Sequence, residues 1–163
     1  MTDLLTKSDA VISECGRFRY ALTRHWGDGP TALFIMLNPS SADASEDDPT
    51  IRRCVGFAQR EGCGGLRVEN LFAFRATNPD FMFRDAHTSI GATDRYIREA
   101  VQECDGPAIA AWGADKRAQL RGRAVGGLLA SLDIEPVCLG MSKSGAPKHP
   151  LYIKADQPLI AYS

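Results

Sequence analysis

Six consecutive apolar residues, Ala32-Leu33-Phe34-Ile35-Met36-Leu37, run directly into Asn38-Pro39. A run this short, with no polar residue in alternation, has no face to offer water and predicts a central strand of a parallel sheet, covered on both sides. Three further segments end in the same way. Leu66–Val68 leads into Glu69-Asn70-Leu71, Pro107–Ala111 into Trp112-Gly113, and Pro136–Leu139 into Gly140 and then Lys148-His149-Pro150. Helical patterns lie between them over Pro49–Arg60, Asp94–Cys104 and Lys116–Leu132. The alternation βαβαβαβ predicts an α/β fold of three layers, α/β/α, around a central, mainly parallel four-stranded sheet. Phe18–Thr23 and the turn Trp26–Pro30 add an N-terminal strand or hairpin within residues 1–31.

The 163 residues form one expected domain, with no internal repeat or linker. No apolar stretch is long enough to cross a bilayer, and Met1–Lys7 does not read as a signal peptide, so a cytoplasmic protein without a membrane partner is expected. The five cysteines are scattered and never in a Cys-x-x-Cys pair, which argues against a zinc or iron–sulfur site. No Walker loop or Gly-x-Gly-x-x-Gly is present, and no cofactor is expected. Net charge is −1, so no global basic excess announces a nucleic-acid binder; local clusters such as Arg17, Arg19 and Arg24 are solvated faces or a phosphate-contacting patch.

In a parallel sheet the carboxyl ends of the strands share one edge, where ligands bind. The segments after the four strands should therefore meet. Asn38 offers a donor and an acceptor suited to orienting a water or a base, or else initiates a turn, with Pro39 and Ser40 beside it. Asp48 and Pro49 form an N-cap and first-turn pair. Asp47, freer than its neighbour, is the candidate general base or water holder. Asn70 at a strand terminus can make paired hydrogen bonds to a base edge, or satisfy loop backbone. Trp112 is expected in the pocket wall. His149, stiffened by Pro147 and Pro150 and flanked by Lys148, can donate to a developing anion or act as acid or base.

The order of these pieces resembles the uracil-DNA glycosylase superfamily. Phe34–Ser40 followed by Ser41-Ala42 is similar to the first motif of its mismatch-specific uracil/thymine branch. Asn70 falls where that superfamily keeps a base-reading asparagine, Ala110–Ala114 resembles its third strand, and His149-Pro150-Leu151 resembles its second motif. The resemblance implies that Asn38 holds the attacking water and that Leu151 is the residue that wedges into a duplex. Two departures stand out: Asn38 lies where the standard uracil branch has an acid, and Leu151 follows His149 by two residues instead of four. More closely, N-P-S-x-A-D, D-D-P-T-I-R-R-C, N-L-F-A-x-R-A-T and G-x-P-x-H-P-L-Y together resemble a bacterial and phage family, the domain of unknown function numbered 1643.

The leading expectation is hydrolysis of the N-glycosidic bond of a damaged or modified base in DNA or in a nucleotide, with Asn38, Asp47 and His149 catalytic. Pro39, Ser40, Asn70, Trp112, Lys148 and Leu151 would bind the substrate. Two alternatives stand beside it. One is a non-catalytic binder of nucleic acid or of a modified base; the other is a metal-dependent nucleotide enzyme using Asp43, Asp47 and His149 as ligands.

Overall fold

A computed structural model describes residues 7–84 and 92–163. Thr31–Met36 forms β3, and its residues beyond Thr31 are buried, as the apolar run requires. The chain then folds as helix α1 (Pro49–Arg60) and strand β4 (Gly65–Asn70), which lies parallel to β3 with Met36 opposite Asn70. Helices α2 (Pro79–Arg84) and α3 (Thr93–Glu103) lead back across β3 to β5 (Ala108–Ala110), parallel to β3 on its other side. A 3-10 turn at Lys116–Ala118 and helix α4 (Gln119–Ser131) connect β5 to β6 (Val137–Cys138), again parallel.

These four parallel strands are the predicted centre, but the sheet is wider than four. Strands β1 (Lys7–Ile12) and β2 (Arg19–His25) form an antiparallel hairpin, and β2 pairs antiparallel with β4. At the far edge β7 (Ile160–Ala161) pairs antiparallel with β6. Among the described residues the order is β1-β2-β4-β3-β5-β6-β7, one mixed seven-stranded sheet. The hairpin is thus part of the sheet and not an appendage. Pairing with β2 satisfies the open edge of β4, which would otherwise present unpaired backbone groups.

Side chains of β3 alternate between two cores. Ala32, Phe34 and Met36 pack with Ile51, Cys54, Phe57 and Ala58 of α1, while Leu33, Ile35 and Leu37 pack with Met82, Ile97, Val125 and Leu129 of α2, α3 and α4. Each fully buried Val, Leu, Ile, Phe or Met side chain among them contributes roughly 1.5–3 kcal/mol. The amphipathic spacing Ile51–Cys54–Phe57–Ala58 is what turns one face of α1 onto the sheet.

Helix α1 begins where the sequence places it. Asp48 Oδ1 accepts the Ile51 N–H at 2.9 Å, and Pro49 occupies the first turn, where its missing N–H costs nothing. Helix α4 starts three residues later than the periodicity predicts, because Asp115 caps a 3-10 turn there. Helix α2 lies in the stretch 75–93, for which the sequence carries no clear pattern; residues 85–91 of that stretch lie outside the described residues.

Candidate functional site

Loop 38–48, which follows β3, is held by arginines. Arg24, on β2 and fully buried, pairs with Asp47 at 2.8 Å and donates to the carbonyls of Asp43 and Glu46. Arg75 donates to the Ser40 and Ser41 carbonyls at 3.2 and 3.3 Å. Asn38 fastens the other end: its Nδ2 donates to the carbonyls of Ala76, Pro39 and Phe74 at 2.9, 3.1 and 3.3 Å. With that nitrogen committed, what Asn38 can offer a ligand is Oδ1, an acceptor.

The segment after β6 turns back on itself. Ser142 N–H donates to the Ala146 carbonyl, and Gly145 takes φ +84° to close the turn. Lys148 N–H reaches Gly140, and Gly113 N–H donates to the Pro147 carbonyl at 2.9 Å, so the segment lies over the end of β5. Pro150–Tyr152 then forms a 3-10 turn against α1, where Arg53 donates to the Pro150 and Ile153 carbonyls.

Under the carboxyl ends of β3 and β4 lies a cavity of about 430 Å³, closed on one side by the start of α1 and on another by His149 and Leu151. That volume falls within the roughly 300–1,000 Å³ of small-molecule sites. In a doubly wound topology the crevice is expected between β3 and β5, where the strand order reverses. It opens one strand further over, because the 140–149 segment occupies the end of β5.

The lining brings together Asn38, Pro39, Ser40, Asn70, His149 and Leu151. Three other sequence candidates lie outside it. Asp47 faces Arg24, with which it forms the ion pair that anchors the loop. Trp112 points into the opposite core, edge-on to Tyr162 at 5.5 Å and against Gly122, because one residue of alternation separates it from Ala111 on the α1 face. Lys148 is exposed and lies along Gly140. Asp43 serves its own turn, with Oδ1 accepting from the N–H groups of Ser45 and Glu46. Hence Asp43, Asp47 and His149 do not gather. Among the described residues no group of three or more His, Cys, Asp or Glu side chains is arranged to hold a metal ion.

Several lining residues went unrecognised in the sequence, among them Arg19, Asp48 as a wall, Thr77 and Tyr152. Arg19 is 3% exposed, and its Nη1 donates to the Ala42 carbonyl while Nε has no partner among the described residues. Burial holds its pKa down near 10, against the nearby Asp48, so it stays charged at neutral pH. The one available signal was an arginine inside a run otherwise typical of a buried strand. Asn70 is 4% exposed, and its Nδ2 likewise has no partner. Tyr152, at the rim, is 87% exposed.

His149 is half-buried, and its Nδ1 accepts the Leu151 N–H at 3.2 Å. A neutral imidazole that accepts at Nδ1 carries its proton on Nε2 and donates from there. Burial lowers its pKa below the ordinary 6.5, with Asp48 opposing, so the neutral donor prevails at physiological pH.

A family profile described as a protein of unknown function (DUF1643) matches residues 19–151. The chain belongs to the DUF1643 family. The DUF1643 span opens at Arg19 and closes at Leu151, so of the cavity lining it leaves out Tyr152 alone. No curated protein and no solved structure matches the chain.

Proposed function

We propose that the cavity receives a nucleobase and that the protein hydrolyses the N-glycosidic bond of a damaged or modified base, in DNA or in a nucleotide. The observation that carries this reading is that Asn70, which lines the cavity together with the neutral His149, holds a buried Nδ2 with no partner among the described residues. A buried donor without an acceptor is costly, and a ligand that supplied one would relieve that cost.

In this reading Asn70 donates to a ring acceptor and selects the base. His149 Nε2–H donates to the base oxygen on which charge develops as the C1′–N bond breaks and its electron pair passes to the ring. Asn38 Oδ1 accepts from a water whose oxygen forms the new C1′–O bond, and that water's proton passes to solvent. Asp47 has no part in this chemistry, since its carboxylate neutralises Arg24. In a duplex the base must first leave its stack, which costs a few kcal/mol. Leu151 and the exposed Tyr152 at the rim supply the apolar and stacking contacts that repay part of that cost. On this reading the chain would share the fold and chemistry of the uracil-DNA glycosylase superfamily that its motifs resemble.

Binding without catalysis is favoured by one feature. Among the described residues Asp48 is the only carboxylate lining the cavity, and its oxygens accept from the Ile51 and Ala42 N–H groups. The deciding experiment incubates the protein with single- and double-stranded oligonucleotides and with nucleotides carrying normal, deaminated and modified bases. Alkali-labile sites or free base are then measured. Release from at least one substrate is expected; retention of ligands without any release assigns the binding role.

A further inference from the structure

Two residues that line the cavity each hold a buried donor with no acceptor among the described residues: Arg19 at Nε and Asn70 at Nδ2. These residues are 3% and 4% exposed, and they sit on the adjacent strands β2 and β4. A buried guanidinium is tolerated when a carboxylate or carbonyls compensate it. Arg24 and Arg67 meet that condition. Arg24 pairs with Asp47, and Arg67 pairs with Glu69, Glu99 and Glu103. Among the described residues Arg19 has one carbonyl, that of Ala42, and no ion pair; the acid in the wall, Asp48, accepts from backbone N–H groups instead.

We propose that Arg19 and Asn70 form an oxyanion-receiving subsite in the wall of this cavity, so that the ligand presents a negatively charged oxygen there. Charge-assisted hydrogen bonds from the guanidinium and the amide would satisfy both orphaned donors at once. The inference deepens the base-binding reading and rests on the same cavity, but it concerns binding and not bond cleavage. The oxyanion has two sources to distinguish: an acidic planar ring whose oxygen carries the charge, which keeps Asn70 on the base, or the phosphate of a nucleotide, which takes Asn70 off the base and leaves base selection to other lining residues.

Calorimetric titration of the whole protein with inorganic phosphate, with a nucleoside 5′-monophosphate and with barbiturate, at constant ionic strength, tests it. Binding of phosphate and the monophosphate assigns the phosphate source; binding of barbiturate alone assigns the ring. Asn70→Leu removes a donor that makes no bond within the fold, and Arg19→Met removes the charge. Each is expected to weaken the bound probe roughly ten- to a hundredfold, as loss of a hydrogen bond to a charged group does. Asn70→Leu keeps the test intact if Arg19→Met fails to fold. A wild type indifferent to all three probes, or an Asn70→Leu variant that binds as tightly as wild type, overturns the proposal. Base release without anion binding also overturns it and leaves the hydrolytic reading standing; anion binding without base release does the reverse.

Discussion

Asn70 carries a penalty that, among the described residues, it shares with Arg19. Its Nδ2 is out of water and donates to nothing, a loss of about 1–3 kcal/mol for such a group. Leucine has nearly the shape of asparagine and no donor to strand. Asn70→Leu should therefore raise the unfolding free energy by about 1 kcal/mol in a urea titration while ligand binding is lost. A destabilised variant would mean that the amide serves the fold after all. His149 belongs to the same scale. Its Nδ1 is engaged by Leu151 N–H, so Nε2–H is the donor, and His149→Ala should cost about two to three powers of ten in base release. Burial keeps the folded pKa below 6.5, so the neutral donor persists as pH falls through that value. The acid limb of the pH–rate profile should lie below 6.5, and a limb at or above it contradicts this role.

Among the elements, loop 38–48 shows best what could be read from sequence. The cap at Asp48 was legible because the Asp-Pro pair directly precedes an amphipathic helix. The role of Asp47 was not, since its partner Arg24 is 23 residues away on a strand whose pairing with β4 no local pattern announces. Read from sequence, Arg19 and Arg24 are a surface cluster; they are 3% and 0% exposed. For the same reason Asp47→Ala should act on stability. It strips the counter-charge from a buried guanidinium and should cost about 3 kcal/mol in chemical denaturation, the lower end for breaking a buried pair because Asp47 is partly exposed. Loss of activity at unchanged stability would return Asp47 to the chemistry. Strand β3 and helix α1 were legible from periodicity alone. The two-residue β7 and six-residue α2 were not, being too short for any period to show.

Widening the sheet to seven strands makes β4 an interior strand on both edges, which explains two charged residues in its core. Leu66-Arg67-Val68-Glu69 has the alternation of a half-exposed strand, yet α3 covers the polar face, and Arg67 meets Glu69 at 2.9 Å and Glu103 at 2.6 Å. One guanidinium meets three acidic side chains, and burial raises the Glu69 pKa to about 8 in spite of it. In the unfolded chain the ordinary value, 4.5, returns. A carboxyl raised by folding favours the native state fully below 4.5 and loses that advantage as pH climbs toward 8. Denaturant titrations of wild type and Glu69→Gln at pH 5 and pH 8 should show a steeper fall for wild type; parallel slopes would refute it. The final stretch of chain depends on a different kind of grip. Arg53 and Arg60 of α1 hold residues 150–157 by the carbonyls of Pro150, Ile153, Ala155 and Gln157. Every amino acid owns a carbonyl, so this clasp is indifferent to spelling and sensitive to count. Exchanging side chains between Lys154 and Asp156 leaves it closed, whereas inserting one residue there drags the whole row out of reach and pulls the His149 wall with it.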